Sequence, residues 1–326
     1  MAKTLTVLKE DFMMEEIVIK ITGTGSALPE KRLTNFDLQE MVETSDEWIR
    51  ERTGIAERRV AEEGETLASL AAKAAQKALE MAGRSAEEID MILVATCSPD
   101  DMLPCCACQV QGLIGAKNAT AFDINAACSG FLFGLQTAYA YLQTGMYKRA
   151  LVIGAEVLSK LVDWTDRSTC VLFGDGAGAA LLECSTGQKQ FLGFVQGAIG
   201  EKGMVLSCAR TKFVQMNGQE VYRFAVKQVP QCIEDVLEKT GLSIQDIDLF
   251  VLHQANVRII EAVAKRLKVD IEKFPMNLSR VGNMSSATIP VLLDELNREG
   301  KLETGQKVVL SGFGAGLTYG ACVLVW

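Results

Sequence analysis

Two residues of the chain have the types and settings needed for nucleophilic or proton-transfer chemistry. The first is His253, the single histidine, which ends the apolar run Val251-Leu252. Because the unperturbed pKa of imidazole is about 6.5, its ring can exchange a proton, or donate one from its neutral form, near neutral pH. A buried histidine with a purely structural role is the alternative, and its position in the fold must decide between the two.

The second residue is Cys128, one of ten cysteines. It follows a short strand-like segment and a turn of small residues, and it begins a nearly all-apolar segment, 128–144, that is predicted to be a buried helix. The partial positive charge at a helix start favours thiolate over thiol, so we expect a lowered pKa and a reactive nucleophile. The other cysteines are interpreted as buried structural thiols.

Two further segments could hold a developing negative charge. The glycine-rich stretch 312–316 could offer backbone N–H groups to an oxyanion, and each such donor can be worth roughly 2.7–4 kcal/mol in a transition state. Asn283 offers a side-chain amide just before a predicted helix, where a structural N-cap is the alternative. Two other glycine-rich stretches, 23–25 and 174–178, lack a complete nucleotide-binding pattern and predict tight turns.

The cluster Cys105-Cys106-Ala107-Cys108 does not predict a metal site. No second cysteine or histidine pair completes a tetrahedral set, and adjacent cysteines point apart on a helix or a strand. Because the cysteines of this large chain lie mostly in apolar segments, we expect reduced thiols and a cytoplasmic location.

An internal repeat divides the chain. Residues 83–90 and the apolar run after them reappear at 241–248, an offset of 158 positions (241 − 83), and the same offset pairs Asn125 with Asn283. A repeat of this length predicts two halves of similar fold. Three segments are expected: an N-terminal extension over 1–14, a first half with the candidate cysteine over 15–189, and a second half with the candidate histidine and asparagine over 190–326.

Helical and strand-like segments alternate in both halves. In the first half, helices are predicted over 66–82 and 128–144 and strands over 91–96 and 150–154. In the second half, helices are predicted over 224–240, 255–268 and 285–299 and strands over 248–253 and 307–311. Such alternation is typical of an α/β fold with mainly parallel sheets covered by helices. Ligands bind beyond the carboxyl ends of strands in such sheets, and His253 lies at one, which favours a functional role.

Composition excludes several classes of protein. The formal net charge is −8, from 33 Lys and Arg against 41 Asp and Glu, which argues against nucleic acid as the main partner. No apolar run approaches the about 18 residues needed to span a bilayer, so no membrane association is expected. The first residues lack the apolar stretch of a signal peptide and are interpreted as an appendage.

Motifs around the candidate residues resemble those of β-ketoacyl-[acyl-carrier-protein] synthase III, a thiolase-fold condensing enzyme. Three carry the chemistry: Asn-Ala-Ala-Cys-Ser-Gly-Phe at 125–131, His-Gln-Ala-Asn at 253–256, and Gly-Asn-Met-Ser-Ser-Ala at 282–287. Further matching stretches lie at 23–29, 44–55, 166–167, 173–179 and 313–320. The resemblance extends over residues 15–326 and implies a duplicated α/β architecture, with layered sheets covered by helices.

The resemblance implies a two-stage decarboxylative Claisen condensation in fatty acid biosynthesis. Cys128 would take the acyl group from an acyl-CoA, while the backbone N–H groups of Cys128 and Ala315 hold the tetrahedral oxyanion. The family usually has glycine where Ala315 stands, and alanine leaves the N–H intact. Malonyl-[acyl-carrier protein] would then lose CO2, and neutral His253 and Asn283 would donate hydrogen bonds to the enolate. That carbanion attacks the acyl group and gives the β-ketoacyl-[acyl-carrier protein].

Binding residues follow from the same resemblance. Four would hold the nucleotide end of CoA: Thr44, Trp48, Arg52 and Arg167. Trp48 and Arg52 would sandwich the adenine, since both can stack on it. Four basic residues, three of them on the predicted helix after the histidine, would contact the acidic carrier protein: Arg223, Arg258, Lys265 and Arg266. Leu103 matches a position that reaches across a homodimer interface to the acyl pocket, and no metal or cofactor is expected.

Several alternatives stay open. A polyketide-type or alkylquinolone-type condensing enzyme would use the same three catalytic residues, although the basic patch favours the carrier-protein-dependent enzyme. A thiolase is disfavoured because Cys322 lies in an apolar terminal segment without the Cys-x-Gly setting of a second catalytic thiol. A hydrolase with a Cys-His-Asn triad fits the residue types but not the duplication or the CoA motifs. A catalytically silent homologue would have lost at least one of the three residues.

Overall fold

The computed structural model describes residues 17–209 and 212–326, so the extension predicted over 1–14 lies outside the described part. The strands are β1 (Val18–Ala27), β2 (Arg32–Thr34), β3 (Glu57–Arg59), β4 (Met91–Ala95), β5 (Thr120–Ile124), β6 (Arg149–Val157), β7 (Asp175–Ser185), β8 (Phe191–Ala198), β9 (Leu206–Ser207), β10 (Gln215–Met216), β11 (Leu249–Leu252), β12 (Lys307–Gly314) and β13 (Thr318–Val325). The α-helices are α1 (Asn35–Gln39), α2 (Asp46–Thr53), α3 (Leu67–Ala82), α4 (Cys106–Ile114), α5 (Gly130–Gln143), α6 (Gly218–Thr240), α7 (Val257–Leu267), α8 (Leu278–Val281) and α9 (Thr288–Arg298). No helix in these described ranges is both long and apolar enough to span a bilayer.

Two main sheets organise these strands. The first has the order β1-β7-β6-β4-β5 and the second has the order β8-β13-β12-β11. β4 runs parallel to β5 and β6, and β11 runs parallel to β12, but the other pairs in the two sheets are antiparallel. The prediction of mainly parallel sheets is therefore wrong. No crossover α-helix separates β6 from β7 or β12 from β13, so in both places the chain returns in the antiparallel direction.

Helices cover both sheets and fill the space between them. α3 and α4 pack on the outer face of the first sheet, and α6 and α7 pack on the outer face of the second. α5 and α9 lie between the sheets, where Phe131 and Leu135 of α5 share a core with Ile289 and Leu292 of α9. The resulting order of helix, sheet, helix, sheet and helix confirms the predicted layered α/β fold class.

The sequence repeat corresponds to a structural repeat. β4 and β11 begin 158 positions apart (249 − 91), and so do β6 and β12 (307 − 149) and α5 and α9 (288 − 130). Each of these two helices follows a one-turn 3-10 helix, Ala127–Ser129 or Ser285–Ala287, whose first residue has a left-handed φ of 47° or 45°. Left-handed backbone is unfavourable for residues other than glycine, so surrounding packing must hold both turns in place.

Two glycine-rich stretches that predict tight turns supply glycines to strands instead. Gly25 lies in β1 and Gly178 lies in β7. A Cβ at Gly25 would lie 2.2 Å from the backbone oxygen of Ala74 in α3, and one at Gly178 would lie 2.6 Å from the backbone nitrogen of Val291 in α9. These glycines allow helix backbones to approach the first sheet closely on both faces.

The division of the chain at residue 190 stays a prediction. β7 ends at Ser185 in the first sheet, and β8 begins at Phe191 in the second. The two halves nevertheless share a core, because α9 packs against β1 and β7. Asp294 of α9 also accepts hydrogen bonds from Thr24 Oγ1 at 2.9 Å and Ser26 Oγ at 2.6 Å in β1.

Candidate active site

Cys128 lies in the turn that joins β5 to α5. Asn125 Oδ1 accepts a hydrogen bond from the Ala127 N–H at 3.2 Å, at the residue that takes the left-handed conformation. Gly314, at the end of β12, packs directly against this turn, since a Cβ there would lie 2.6 Å from the Cys128 nitrogen. Backbone from both halves of the chain therefore fixes the position of the thiol.

Burial raises the pKa of the Cys128 thiol to about 12, a hydrogen bond with Ser285 opposes this shift, and the charge of Glu156 adds to it. Only 9% of the residue is exposed, so the loss of hydration outweighs the favourable field of the helix start. The lowered pKa predicted from the sequence is therefore wrong. The resting residue is a thiol, and its attack on an electrophile needs a proton acceptor.

His253 directly follows β11 and lies deep in the protein. Its N–H donates to the Ser311 carbonyl at 2.8 Å, and its ring meets Phe313 edge to face, with the centroids 5.4 Å apart. The residue is only 3% exposed. Burial lowers the pKa of its imidazole to about 3, so the ring is neutral near pH 7.

Thr288, the first residue of α9, holds one nitrogen of this ring. The His253 Nδ1 lies 2.7 Å from Thr288 Oγ1, and the same oxygen lies 2.9 Å from the Ser285 carbonyl, to which it can donate. If the single hydroxyl hydrogen points to that carbonyl, Nδ1 carries the imidazole hydrogen and Nε2 has a free lone pair. If it points to Nδ1, Nε2 carries the hydrogen. Nε2 is buried without a hydrogen-bond partner in the described residues, so it is the nitrogen left for chemistry.

Asn283 is held just before the second 3-10 turn. Its N–H donates to the Leu172 carbonyl at 2.9 Å, and its Oδ1 accepts from the Ser285 N–H at 2.8 Å. Asn125 makes the corresponding Oδ1 contact in the first half. Because Oδ1 is occupied, the amide offers the two hydrogens of Nδ2 as donors.

One cavity of about 1270 Å³ brings the three candidate residues together: Cys128, His253 and Asn283. A second cavity, of about 370 Å³, also reaches Cys128. Five large apolar side chains line this smaller cavity: Leu158, Leu161, Phe173, Leu206 and Val214. A substrate can therefore approach the thiol through the larger cavity and extend an apolar group into the smaller one.

An aromatic and cationic cluster also lines the larger cavity. The Cζ of Arg52 lies 4.4 Å from the centroid of the Trp48 ring, and the Cζ of Arg167 lies 5.0 Å from it. Both guanidinium groups are within the range of a cation–π interaction. Together they offer positive charge to phosphate groups beside a flat ring that can stack on a heterocycle. Thr44 does not line this cavity, and its hydroxyl is buried without a partner among the residues described.

The four predicted basic residues do not all reach the cavity. Arg223 and Arg258 line it, and Arg223 pairs with Glu220 at 2.7 Å. Lys265 and Arg266 are exposed farther along α7 and do not line it. The basic patch is therefore an extended surface that begins at the cavity.

Of the remaining two predicted residues, one lies beside the thiol and the other lies outside both cavities. Ala315 follows β12 and lines the smaller cavity together with Cys128. Leu103 lies in the loop before α4, is 86% exposed, and lines neither cavity. Its predicted role is to reach the acyl pocket of a second chain, and in a single chain it contacts neither cavity.

Three polar side chains in and around the site were missed from the sequence: Thr288, Glu156 and Ser98. Thr288 holds the histidine, as described above. Glu156 is fully buried in β6 and accepts a hydrogen bond from Ser98 Oγ at 2.5 Å, and Cys97 Sγ lies 3.4 Å from the same carboxyl group. Only Glu156 carried a signal, because an acidic residue interrupts an otherwise apolar strand.

Two family models match stretches of the chain that contain the candidate residues. The model described as 3-Oxoacyl-[acyl-carrier-protein (ACP)] synthase III matches residues 122–200, which include Cys128. The model described as 3-Oxoacyl-[acyl-carrier-protein (ACP)] synthase III C terminal matches residues 237–326, which include His253 and Asn283. Each half of the candidate site therefore falls within a matched region.

Similar proteins match nearly the whole chain. A β-ketoacyl-[acyl-carrier-protein] synthase III of Clostridium acetobutylicum is 49% identical over 325 residues, covering 94% of this chain and 98% of that protein. A crystal structure of 3-oxoacyl-[acyl-carrier-protein] synthase III from Aquifex aeolicus VF5 has a TM-score of 0.93 at 45% identity, covering 94% of this chain and 100% of that one. The priming β-ketosynthase of the R1128 polyketide biosynthetic pathway has a TM-score of 0.91 at 34% identity, covering 95% of this chain and 97% of that one.

The alkylation rate of Cys128 tests its raised pKa. Iodoacetamide reacts with the thiolate, whose fraction rises about tenfold per pH unit below the pKa, so we expect a rate that climbs between about pH 6 and 10 without a plateau. Intact mass measures the rate, and a Cys128→Ser variant corrects for the other cysteines. A plateau near neutral pH would instead indicate the lowered pKa of a helix start.

Proposed function

The chain belongs to the 3-oxoacyl-[acyl-carrier-protein] synthase III family, and we propose that it performs its reaction with Cys128, His253 and Asn283. It is an acyltransferase that catalyses the initiating condensation of fatty acid biosynthesis, between an acyl-CoA and malonyl-[acyl-carrier protein]. The family predicted from the motifs is confirmed. One observation carries the assignment of the residues: a thiol, a neutral imidazole and a free amide donor line the same cavity.

In the first stage, the sulfur of Cys128 attacks the thioester carbonyl of the acyl-CoA. A bond forms between that sulfur and the acyl carbon, the bond to the CoA sulfur breaks, and the thiol proton ends on the departing CoA. His253 can relay this proton through Nε2 when Nδ1 carries the imidazole hydrogen. The backbone N–H groups of Cys128 and Ala315 stabilise the oxyanion formed on the way.

In the second stage, the malonyl group loses CO2 and its thioester oxygen gains negative charge. Asn283 Nδ2 and His253 Nε2–H donate hydrogen bonds to this enolate oxygen. The new carbanion forms a bond to the acyl carbon on Cys128, the bond from that carbon to the Cys128 sulfur breaks, and the sulfur takes a proton from solvent to restore the thiol. The His253 imidazole is neutral because of its burial, so it supplies a hydrogen-bond donor without a net charge. The hydroxyl of Thr288 supports this tautomer when it donates to Nδ1.

The larger cavity suits a CoA nucleotide and its pantetheine arm. Trp48, Arg52 and Arg167 form the aromatic and cationic cluster that would hold the adenine and the phosphates. Thr44 lies outside this cavity and its hydroxyl is buried, so it is left out of the proposed nucleotide contacts. The smaller apolar cavity would receive the acyl group bound to Cys128.

The carrier protein would dock where the basic patch begins. Arg223 and Arg258 at the cavity would contact it first, with Lys265 and Arg266 extending the contact along α7. An acidic partner is favoured because these charges are exposed on a chain whose formal net charge is −8. No cofactor is required by these steps, and we expect the enzyme in the cytoplasm.

A homodimer would explain the exposed apolar loop before α4. Met102 is 61% exposed and Leu103 is 86% exposed, and large apolar side chains rarely stand open to solvent side by side. A second copy of the chain would cover them, with Leu103 reaching the partner's acyl cavity.

The alternative functions are less well supported. The chain shares more residues with the Clostridium acetobutylicum enzyme, at 49% identity, than with the polyketide priming ketosynthase, at 34%. A Cys-His-Asn hydrolase does not account for the aromatic and cationic cluster or for the match along both halves.

Two substitutions separate the stages. Cys128→Ala should abolish acylation of the protein by acyl-CoA, because the accepting sulfur is absent. His253→Ala should still be acylated, since the CoA sulfur can take the proton, but condensation should fall by about 10²–10³-fold, because one hydrogen-bond donor to the enolate is lost. Intact mass reports acylation, and formation of the β-ketoacyl product reports condensation.

A matched control accompanies these variants. Cys184→Ala removes a free cysteine of β7 that lines neither of these two cavities, and it should be acylated like the unchanged protein. Acylation that persists in Cys128→Ala would overturn the assignment of the nucleophile. Loss of both stages in His253→Ala would make the histidine an obligatory base for acyl transfer instead.

Substitution of Thr288 tests its role as a positioning residue. Thr288→Val removes the hydroxyl from His253 Nδ1, and a lost buried hydrogen bond costs about 1–3 kcal/mol, so condensation should fall roughly ten- to hundredfold. Thr288→Ser keeps the hydroxyl and should retain most of the rate. Acylation should change little in either variant. Equal loss of acylation and condensation in Thr288→Val would indicate a general structural defect.

A further inference from the structure

Gln254 directly follows His253 but has no role in the proposed reaction. It is the second residue of the His-Gln-Ala-Asn motif, and it lines neither of the two cavities that reach Cys128. The residue is fully buried, with 0% of its surface exposed. Burial of a polar side chain is costly unless it makes hydrogen bonds, so the partners of this amide indicate what it does.

The amide oxygen of Gln254 holds the start of α8. Oε1 accepts hydrogen bonds from the Asn277 N–H at 3.0 Å and from the Leu278 N–H at 2.9 Å. Asn277 is the N-cap of α8 and Leu278 is its first residue, and N–H groups at a helix start have no partner within the helix. The Gln254 Nε2 has no hydrogen-bond partner among the described residues. The two bonds of Oε1 therefore account for the placement of this amide.

The start of α8 is linked in turn to Asn283. The Leu278 carbonyl accepts a hydrogen bond from the Gly282 N–H at 2.9 Å, and Asn283 is the next residue. Gly282 has a left-handed φ of 72°, and a Cβ there would lie 3.0 Å from the Cβ of Arg58. Because this short backbone is both hydrogen-bonded and closely packed, a shift of α8 would move Asn283 as well.

Gln254 thus connects the backbone beside one enolate donor to the helix that precedes the other. The His253 N–H donates to the Ser311 carbonyl of β12 at 2.8 Å, so the first residue of this connection is itself held. In the condensation, His253 and Asn283 must donate to a single oxygen atom. A displacement of about 1 Å in such a group can lower a rate by about 10²-fold.

We propose that Gln254 is a positioning residue that sets the distance between the two donors of the condensation, His253 Nε2 and Asn283 Nδ2. This role rests on the proposed function, because only the second stage uses both donors. The nucleophile Cys128 lies in the other half of the chain, in the turn between β5 and α5. Loss of the Gln254 oxygen should therefore slow condensation far more than acylation.

Gln254→Met tests this role, since methionine is also unbranched but offers no oxygen to α8. Condensation should fall about 10- to 100-fold, while acylation by acyl-CoA should change little. Intact mass measures acylation, and formation of the β-ketoacyl product by acylated enzyme measures condensation. The loss should appear in kcat with little change in KM for malonyl-[acyl-carrier protein], because the displaced donors act on the enolate.

Two variants serve as controls. Gln254→Glu keeps an oxygen that can accept both N–H groups, so it should condense faster than Gln254→Met. Gln190→Met removes another partly buried amide, whose Oε1 accepts a hydrogen bond from the Ile21 N–H at 2.6 Å and which lines neither cavity. This variant should keep the ratio of condensation to acylation found in the unchanged protein.

Hydrogen exchange tests the contact with α8 without any reaction. Peptides that contain residues 277 and 278 should take up deuterium faster in Gln254→Met than in the unchanged protein, because the two N–H groups lose their acceptor. In Gln190→Met, uptake by these peptides should stay as in the unchanged protein.

An unchanged ratio of condensation to acylation in Gln254→Met would overturn the proposal. Equal loss of both stages, or unchanged deuterium uptake at the start of α8, would overturn it as well. If the unchanged protein formed no β-ketoacyl product, the proposed function would fail instead, and the exchange result would still decide whether Gln254 holds α8.

Discussion

The backbones of two helix starts pack against each other where the two sheets meet, and the relative positions of Cys128 and Asn283 depend on this contact. The 3-10 turns Ala127–Ser129 and Ser285–Ala287 lie at matching positions of the two halves. A Cβ at Gly154 would lie 2.3 Å from the Ser286 carbonyl oxygen, and one at Gly130 would lie 3.5 Å from the Ser286 Cβ. The second turn therefore packs closely on β6 and is in van der Waals contact with the start of α5, which fixes Cys128 relative to Asn283, the residue just before the second turn.

The same packing removes water from the reacting groups and thereby sets their protonation. Burial raises the pKa of Cys128 and lowers that of His253, so both groups rest in neutral forms. A neutral imidazole with one nitrogen held by Thr288 can exchange tautomers without moving its ring. In the proposed reaction, the change of tautomer removes a proton from Nδ1 and adds one at Nε2. The Thr288 hydroxyl can rotate to pair with either form of Nδ1, while the surrounding backbone stays in place.

Much of this arrangement could be predicted from the sequence, because it follows from local patterns. The 158-residue offset predicted the two halves, and the end of an apolar run placed His253 at a strand end, where the structure has it. Tertiary packing decided the rest. The thiol pKa depends on burial by both halves, and the glycines predicted as turns allow close helix contacts. The contact between Thr288 and His253 joins residues 35 positions apart and leaves no signal in the spacing of either.

The central claim is that Cys128 carries the acyl group while His253 and Asn283 independently stabilise the enolate. Release of CO2 from malonyl-[acyl-carrier protein] labelled in its free carboxyl group tests this division most directly when Cys128→Ala is compared with His253→Ala. The account predicts that Cys128→Ala still releases labelled CO2 and that His253→Ala does so far more slowly. Loss of CO2 release in Cys128→Ala, with release retained in His253→Ala, would contradict it.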